Sequence, residues 1–160
     1  MAKTALHFQH NGRKVAVFVD GGANLLSALR DGVGDVSPKF GCGQGGCGAC
    51  TVLIDGEAHL GCVTLAETVA GRSVETADGL KTGPNLHPLQ TAFMESFAAQ
   101  CGYCTPGMLM AAKALLDRNS SPSRSEIVEA ISGNICRCTG YEPIIKAILS
   151  VAAGGGAKRA

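Results

Sequence analysis

Residues 41–62 read GCGQGGCGACTVLIDGEAHLGC. The stretch is a cysteine loop joined directly to a hairpin. In the loop, Gly41, Gly43, Gly45, Gly46 and Gly48 surround Cys42, Cys47 and Cys50. In the hairpin, Asp55-Gly56 separates two short runs, TVLI and EAHL, and an Asp-Gly pair in that setting predicts a two-residue β-turn. Folding the hairpin about that turn puts Cys50 and Cys62 at the open ends of its two strands, almost opposite one another. Cys42, Cys47, Cys50 and Cys62 then form the pattern C-x4-C-x2-C-x11-C. Three cysteines so spaced with a distant fourth match the plant-type [2Fe-2S] arrangement. The glycines suit the same purpose: they permit positive φ and let several backbone N–H groups point inward, toward an anionic group with sulfur acceptors. A merely flexible loop with incidental thiols has no need of a hairpin that delivers the fourth cysteine.

Working outward, ALHFQ alternates, Asn11-Gly12 predicts a second tight turn, and Val15, Val17 and Val19 alternate on the return strand. Leu25, Leu26 and Leu29 give a short helical stripe, and a last strand is expected at SVET, residues 73–76. Beyond this point the hydrophobic period changes from two to that of a helix. Leu89, Ala92, Phe93 and Phe97 form a stripe beginning near His87-Pro88, and Pro106 opens a second helix carrying Met108, Met110, Ala111, Ala114 and Leu115. Ser123 and Glu126 fit a capping box ahead of Ile127, Val128 and Ile131. A fourth helix starts near Pro143 with Ile144, Ile145, Ile148 and Val151. The expected fold is α+β: a small β-sheet domain over residues 1–76, a linker over 77–86, a four-helix bundle over 87–153 and a flexible tail at 154–160.

The remaining cysteines fall in QCGYCTPG, Cys101 and Cys104, and in GNICRCTGY, Cys136 and Cys138. Each pair sits in a turn between two expected helices, so packing the two helical hairpins together gathers four thiolates at one end of the bundle. Four such thiolates, tetrahedrally disposed, suit zinc as well as iron-sulfur, and spacing leaves both open. Haem attachment fails because Thr51 and Thr105, rather than histidine, follow the Cys-x-x-Cys pairs, and no βαβ pattern supports a thioredoxin-like site. A Rieske centre fails because His7, His10, His59 and His87 all lie outside the ligand pairs. Eight cysteines without a secretory h-region read as metal ligands in a cytoplasmic protein rather than as disulfides. A formal net charge of +1 without a basic patch, no tryptophan and 4% aromatic residues argue against nucleic acid, and no apolar run is long enough for membrane insertion.

KFGCGQGGCGACTVLIDG, QCGYCTPGMLM and GNICRCTGYEPIIKAI, in that order, resemble the iron-sulfur subunit of molybdenum hydroxylases, the xanthine dehydrogenase and aldehyde oxidoreductase family. The resemblance runs from the first hairpin to about Ala153 and implies a β-grasp, ferredoxin-like domain followed by a helical bundle, each with one [2Fe-2S] cluster. It makes all eight cysteines metal ligands and leaves no catalytic residue in this chain. It implies a large partner subunit carrying molybdopterin, and an FAD-binding medium subunit or a cytochrome as electron acceptor. Gln100 matches a position whose amide bonds the pterin, and Cys138 a ligand cysteine that approaches it. The alternative to a cytoplasmic location is the periplasm, by co-export with such a partner.

Other residues receive plainer readings. Arg137, between two ligands, either raises the potential of the second cluster or docks on the large subunit. Tyr103 and Tyr141 are expected to pack, and Met108 and Met110 to fill the core. Two competing functions are a free-standing two-cluster ferredoxin and a zinc-stapled interaction module. Near-neutral charge argues against the first, since soluble carriers commonly present acidic docking surfaces. The second predicts a colourless protein.

Overall fold

The computed structural model describes residues 3–154. Apart from Gly154, the expected tail lies outside the described residues. Strands β1 (Lys3–His10) and β2 (Arg13–Asp20) form an antiparallel hairpin through Asn11 and Gly12, whose φ angles of 49° and 77° are those a type I′ turn requires. β3 (Thr51–Ile54) and β4 (Glu57–Leu60) repeat the device through Asp55 and Gly56, with φ of 50° and 86°. β5 (Ser73–Glu75) runs parallel to β1 and antiparallel to β3, closing a mixed sheet of order β2-β1-β5-β3-β4. A short helix, α1 (Leu25–Ser27), continues as a wider turn over Ala28–Val33. It packs Leu25, Ala28 and Leu29 on Leu6, Phe8, Val17, Val19, Val52, Ile54 and Val74.

Four longer helices follow: α2 (Pro88–Glu95), α3 (Thr105–Arg118), α4 (Arg124–Ile131) and α5 (Glu142–Ala153). α2 packs on α5 and α3, and α4 packs on α3 and α5. Two starts are fixed by reciprocal capping. His87 accepts from Leu89 N–H while the Gln90 side chain accepts from His87 N–H, and Ser123 and Glu126 do the same for α4. No helix among the described residues is long and apolar enough to cross a membrane.

β3 explains why TVLI is apolar throughout instead of alternating. Val52 and Ile54 face the sheet core, whereas Leu53 points to the other side and is buried in the helical core with Leu89, Met108, Leu109 and Ile127. The strand is covered on both faces, and Leu53 alone stabilises the junction by about 1.5–3 kcal/mol of burial. The linker region shares in this packing. Ala77–Leu80 form a 3-10 turn whose Ala77 and Leu80 are buried in the helical core.

Two expected core residues are placed otherwise. α2 stops at Glu95, and Phe97 takes a left-handed conformation, φ 52°, with its side chain 81% exposed. The apolar stripe continues in sequence, but Ser96 ends the helix and the chain must reverse toward Cys101. Val128 is also exposed, at 44%, because it falls on the outer side of α4 between the buried Ile127 and Ile131.

A polar network ties the two chain ends of the sheet domain together. Asp35 accepts from His10 Nε2 at 2.9 Å, from Thr76 Oγ at 2.5 Å and from Ser37 N–H at 2.8 Å. Asn11 donates to Thr76 Oγ at 3.0 Å and accepts from Thr76 N–H at 2.9 Å. Burial raises the Asp35 pKa, but these donors outweigh it and hold the carboxyl well below the usual carboxylate range.

Candidate metal centres

The first cysteine set is assembled by the loop and the hairpin acting together. Thr51 pairs with Leu60, and Gly61 N–H donates to Cys50 O at 3.1 Å, which brings Cys62 alongside Cys50. Gly43, Gly45 and Gly48 have positive φ, and Gly46 N–H donates to Cys42 Sγ at 3.2 Å. Backbone N–H groups of Gln44, Gly46 and Cys47, with the Cys47 thiol, pull the Cys42 pKa down to about 6. On the inner side, burial and then the neighbouring sulfurs of Cys62 and Cys47 push Cys50 up to about 11, against a lowering Cys62 backbone bond. One edge of the set therefore already favours a thiolate, and the other resists ionising until a cation is present.

The second set is assembled from the α2–α3 and α4–α5 turns. Cys101 and Cys138 are exposed with their sulfurs 3.6 Å apart, and Cys104 is in contact with the buried Cys136. Burial, followed by the Cys136 and Cys101 sulfurs, pushes Cys104 up to about 12. For Cys136 burial acts upward, but hydrogen bonds from Thr139 and the Cys138 backbone win and the net shift is down. Thr139 Oγ donates to Cys136 Sγ at 3.1 Å, and Cys136 N–H donates to the Tyr141 hydroxyl at 3.0 Å.

The two interhelical turns bring these four cysteines together, Cys101 beside Cys138 and Cys104 beside Cys136. The cysteines come in pairs, as two bridged irons with two thiolates each require. Two thiolates on one tetrahedral metal lie about 3.8 Å apart for a metal-sulfur bond of roughly 2.3 Å, and the Cys101–Cys138 separation of 3.6 Å fits this. Thr105 Oγ, next to Cys104, is buried without a hydrogen-bond partner and calls for an acceptor. The residues present fit a binuclear sulfur-ligated group.

The two sets lie across one seam. Ile135 N–H donates to Cys47 O at 2.9 Å, and the Tyr103 hydroxyl donates to Phe40 O at 2.5 Å. An apolar cleft lies between them, lined by Cys42, Cys47, Cys101, Cys104, Tyr103 and Ile135. Arg137 and Gln100 are exposed beside the second set. Sequence reasoning missed Asn134, Thr139 and the polar role of Tyr141. The local signal was their adjacency to Cys136 and Cys138; Asn134 acts across 86 positions, and Thr139 and Tyr141 act on Cys136 through the conformation of the turn itself.

The [2Fe-2S] iron-sulfur cluster binding domain matches residues 8–76, and a second [2Fe-2S] binding domain matches residues 76–149. The chain is thus a protein of two [2Fe-2S]-binding domains, the first of ferredoxin type. It is 49% identical to the nicotine 6-hydroxylase small subunit of Paenarthrobacter nicotinovorans, over 87% of this chain and 84% of that one. Against the nicotinate dehydrogenase small FeS subunit of Eubacterium barkeri it is 42% identical, over 92% and 94%. The crystal structure of quinoline 2-oxidoreductase from Pseudomonas putida 86 superposes with a TM-score of 0.92 at 43% identity, covering 98% of this chain and 100% of the matched chain. The chain belongs to the [2Fe-2S] small-subunit family of the xanthine dehydrogenase and aldehyde oxidoreductase type of molybdenum hydroxylase.

Proposed function

We propose that the chain is the electron-transfer subunit of a molybdenum hydroxylase, relaying single electrons from a molybdopterin centre on a large partner protein to a flavin or cytochrome acceptor. The substrate oxidised on the partner is an aldehyde or an N-heteroaromatic compound. In this reading Cys42, Cys47, Cys50 and Cys62 hold one cluster in a ferredoxin-like domain, residues 1–76. Cys101, Cys104, Cys136 and Cys138 hold the other in a four-helix bundle, residues 87–153, with 77–86 as the connection. When bound, a [2Fe-2S] cluster supplies reversible one-electron chemistry with no proton or bond exchange.

The observation that carries this reading is the pairing of the cysteine sulfurs in two sets that share a hydrogen-bonded seam. The chain's own residues perform distinct tasks. The glycine-loop N–H groups and the Thr139 hydroxyl stabilise negative charge on sulfur, and burial of Cys50, Cys62 and Cys136 excludes water from one side of each set. The exposed edge formed by Gln100, Cys101 and Cys138 faces outward, where a partner's pterin can be met by an amide side chain. The chain itself contributes no catalytic group.

The test is metal and flavin analysis of the complex isolated through a tag on this chain. About four irons per chain, the content of two [2Fe-2S] clusters, with molybdenum in the co-purifying large subunit, is the expected result, and flavin content identifies the acceptor class. The same iron without molybdenum or a large subunit would make the chain a free ferredoxin, and zinc in place of iron would remove the electron-transfer role.

A further inference from the structure

The seam between the halves is built around one backbone carbonyl. Gly48 O, between ligand positions Cys47 and Cys50, accepts from Asn134 Nδ2 at 2.9 Å, from Thr51 Oγ at 2.7 Å and from Thr51 N–H at 3.1 Å. Asn134 Nδ2 also lies 3.2 Å from Thr51 Oγ, and the Asn134 residue is only 5% exposed. On the far side stands Gly107 of α3, where a Cβ would come within 2.2 Å of the same carbonyl. Gly48 has φ +68°, and a Cβ there would meet Gly133 O at 2.5 Å and Asn134 Nδ2 at 2.6 Å. Two glycines thus bring the backbones into contact, and one buried carboxamide from the helical half holds the loop of the sheet half. The next residue, Ile135, donates its N–H to Cys47 O, and the one after is Cys136.

We infer that Asn134 is a positioning residue that fixes the first cysteine loop against the second and so sets the coupling between the two metal centres. The inference rests on the reading that both cysteine sets hold clusters. The physical reason is one of leverage. A buried carboxamide donating to a shared carbonyl is costly to leave unpaired, so Asn134 makes one register of the seam favourable over all displaced ones. Cys47 and Cys136 flank that register through a single hydrogen bond, whereas the ligand sets themselves are held by local turns. Loss of Asn134 therefore loosens the distance between the centres without removing either.

The experiment uses the full chain isolated with its native partners and reduced anaerobically with dithionite. Low-temperature EPR follows the two signals from partial to full reduction, and hydrogen exchange follows the 133–136 segment. The unaltered chain is expected to show two signals that split when both centres are paramagnetic. Asn134→Leu is expected to retain iron and both signals, to lose the splitting and to raise exchange at Ile135 at least tenfold. Asn134→Ala, which removes the carboxamide without adding bulk at the seam, provides the same readout should Asn134→Leu fail to fold, and Thr51→Val is expected to give a smaller change in the same direction. Splitting and exchange that stay unchanged in these variants would overturn the inference alone, as would two signals without splitting in the unaltered chain. Fewer than two cluster signals in the unaltered chain would overturn the cluster reading and the inference together.

Discussion

Thr139 shows how a single hydroxyl can matter at a metal centre. It donates to Cys136 Sγ at 3.1 Å, and such a bond stabilises the more negative, reduced state more than the oxidised one. Thr139→Val is expected to lower the midpoint potential of the second centre by some tens of mV, roughly the equivalent of a net 1 kcal/mol hydrogen bond for one electron. Redox titration by EPR reads the shift, and Thr139→Ser should restore it. Asp35 is the corresponding case for stability. Its folded-state pKa is depressed, so its contribution is complete above about pH 4, near the ordinary carboxylate value, and fades as the pH falls below that. Asp35→Asn should lower the melting temperature at pH 7 and flatten the acid limb of a Tm–pH curve. An unaltered acid limb would mean that other carboxylates dominate it. Both residues lay outside the sequence reading: Asp35 reaches His10 and Thr76 across 25 and 41 positions, whereas Thr139 lies three residues from Cys136 and only the conformation of that turn aims its hydroxyl at the sulfur.

At the scale of elements, the local signals were strong where both partners lie within a few residues. Asn11-Gly12, Asp55-Gly56 and the Ser123–Glu126 capping box were legible for that reason. The end of α2 was not, since Leu89, Ala92 and Phe93 are buried on the expected stripe and Phe97 extends the same period. Phe97 instead occupies the left-handed position just beyond the helix, where a residue with a Cβ costs about 1–2 kcal/mol and glycine does not. Offset by the greater freedom of glycine in the unfolded chain, Phe97→Gly should stabilise the chain by up to about 1 kcal/mol, a rise of about 2–4 °C in Tm. Thermal unfolding with and without partner subunits would separate this backbone effect from any contact the exposed ring makes in a complex.

For the whole molecule, the two cysteine sets depend on different elements, the first on the loop and the β3–β4 hairpin, the second on two interhelical turns. Cys104→Ser or Cys138→Ser is therefore expected to abolish the second EPR signal and turnover of the complex, leaving the first signal largely intact. Joint loss of both signals would show that the halves fold as one cooperative unit, through Leu53 and the seam at Gly48. The neighbourhood of the first four cysteines was readable locally: Cys42, Cys47 and Cys50 share one turn system, and Cys62 follows from hairpin register. Which sulfurs lie together within the second set, Cys101 with Cys138 and Cys104 with Cys136, was decided by how α2–α3 packs on α4–α5. The amino-acid sequence by itself determined turns, caps and helical periods, since these depend on neighbours within reach of a few peptide bonds. Only the tertiary structure decided that Leu53 faces the helices, that Phe97 faces solvent and that Asn134 grips Gly48 across 86 positions. Such contacts form when buried area and polar satisfaction are optimised over the whole chain at once, and no short window of sequence contains both partners.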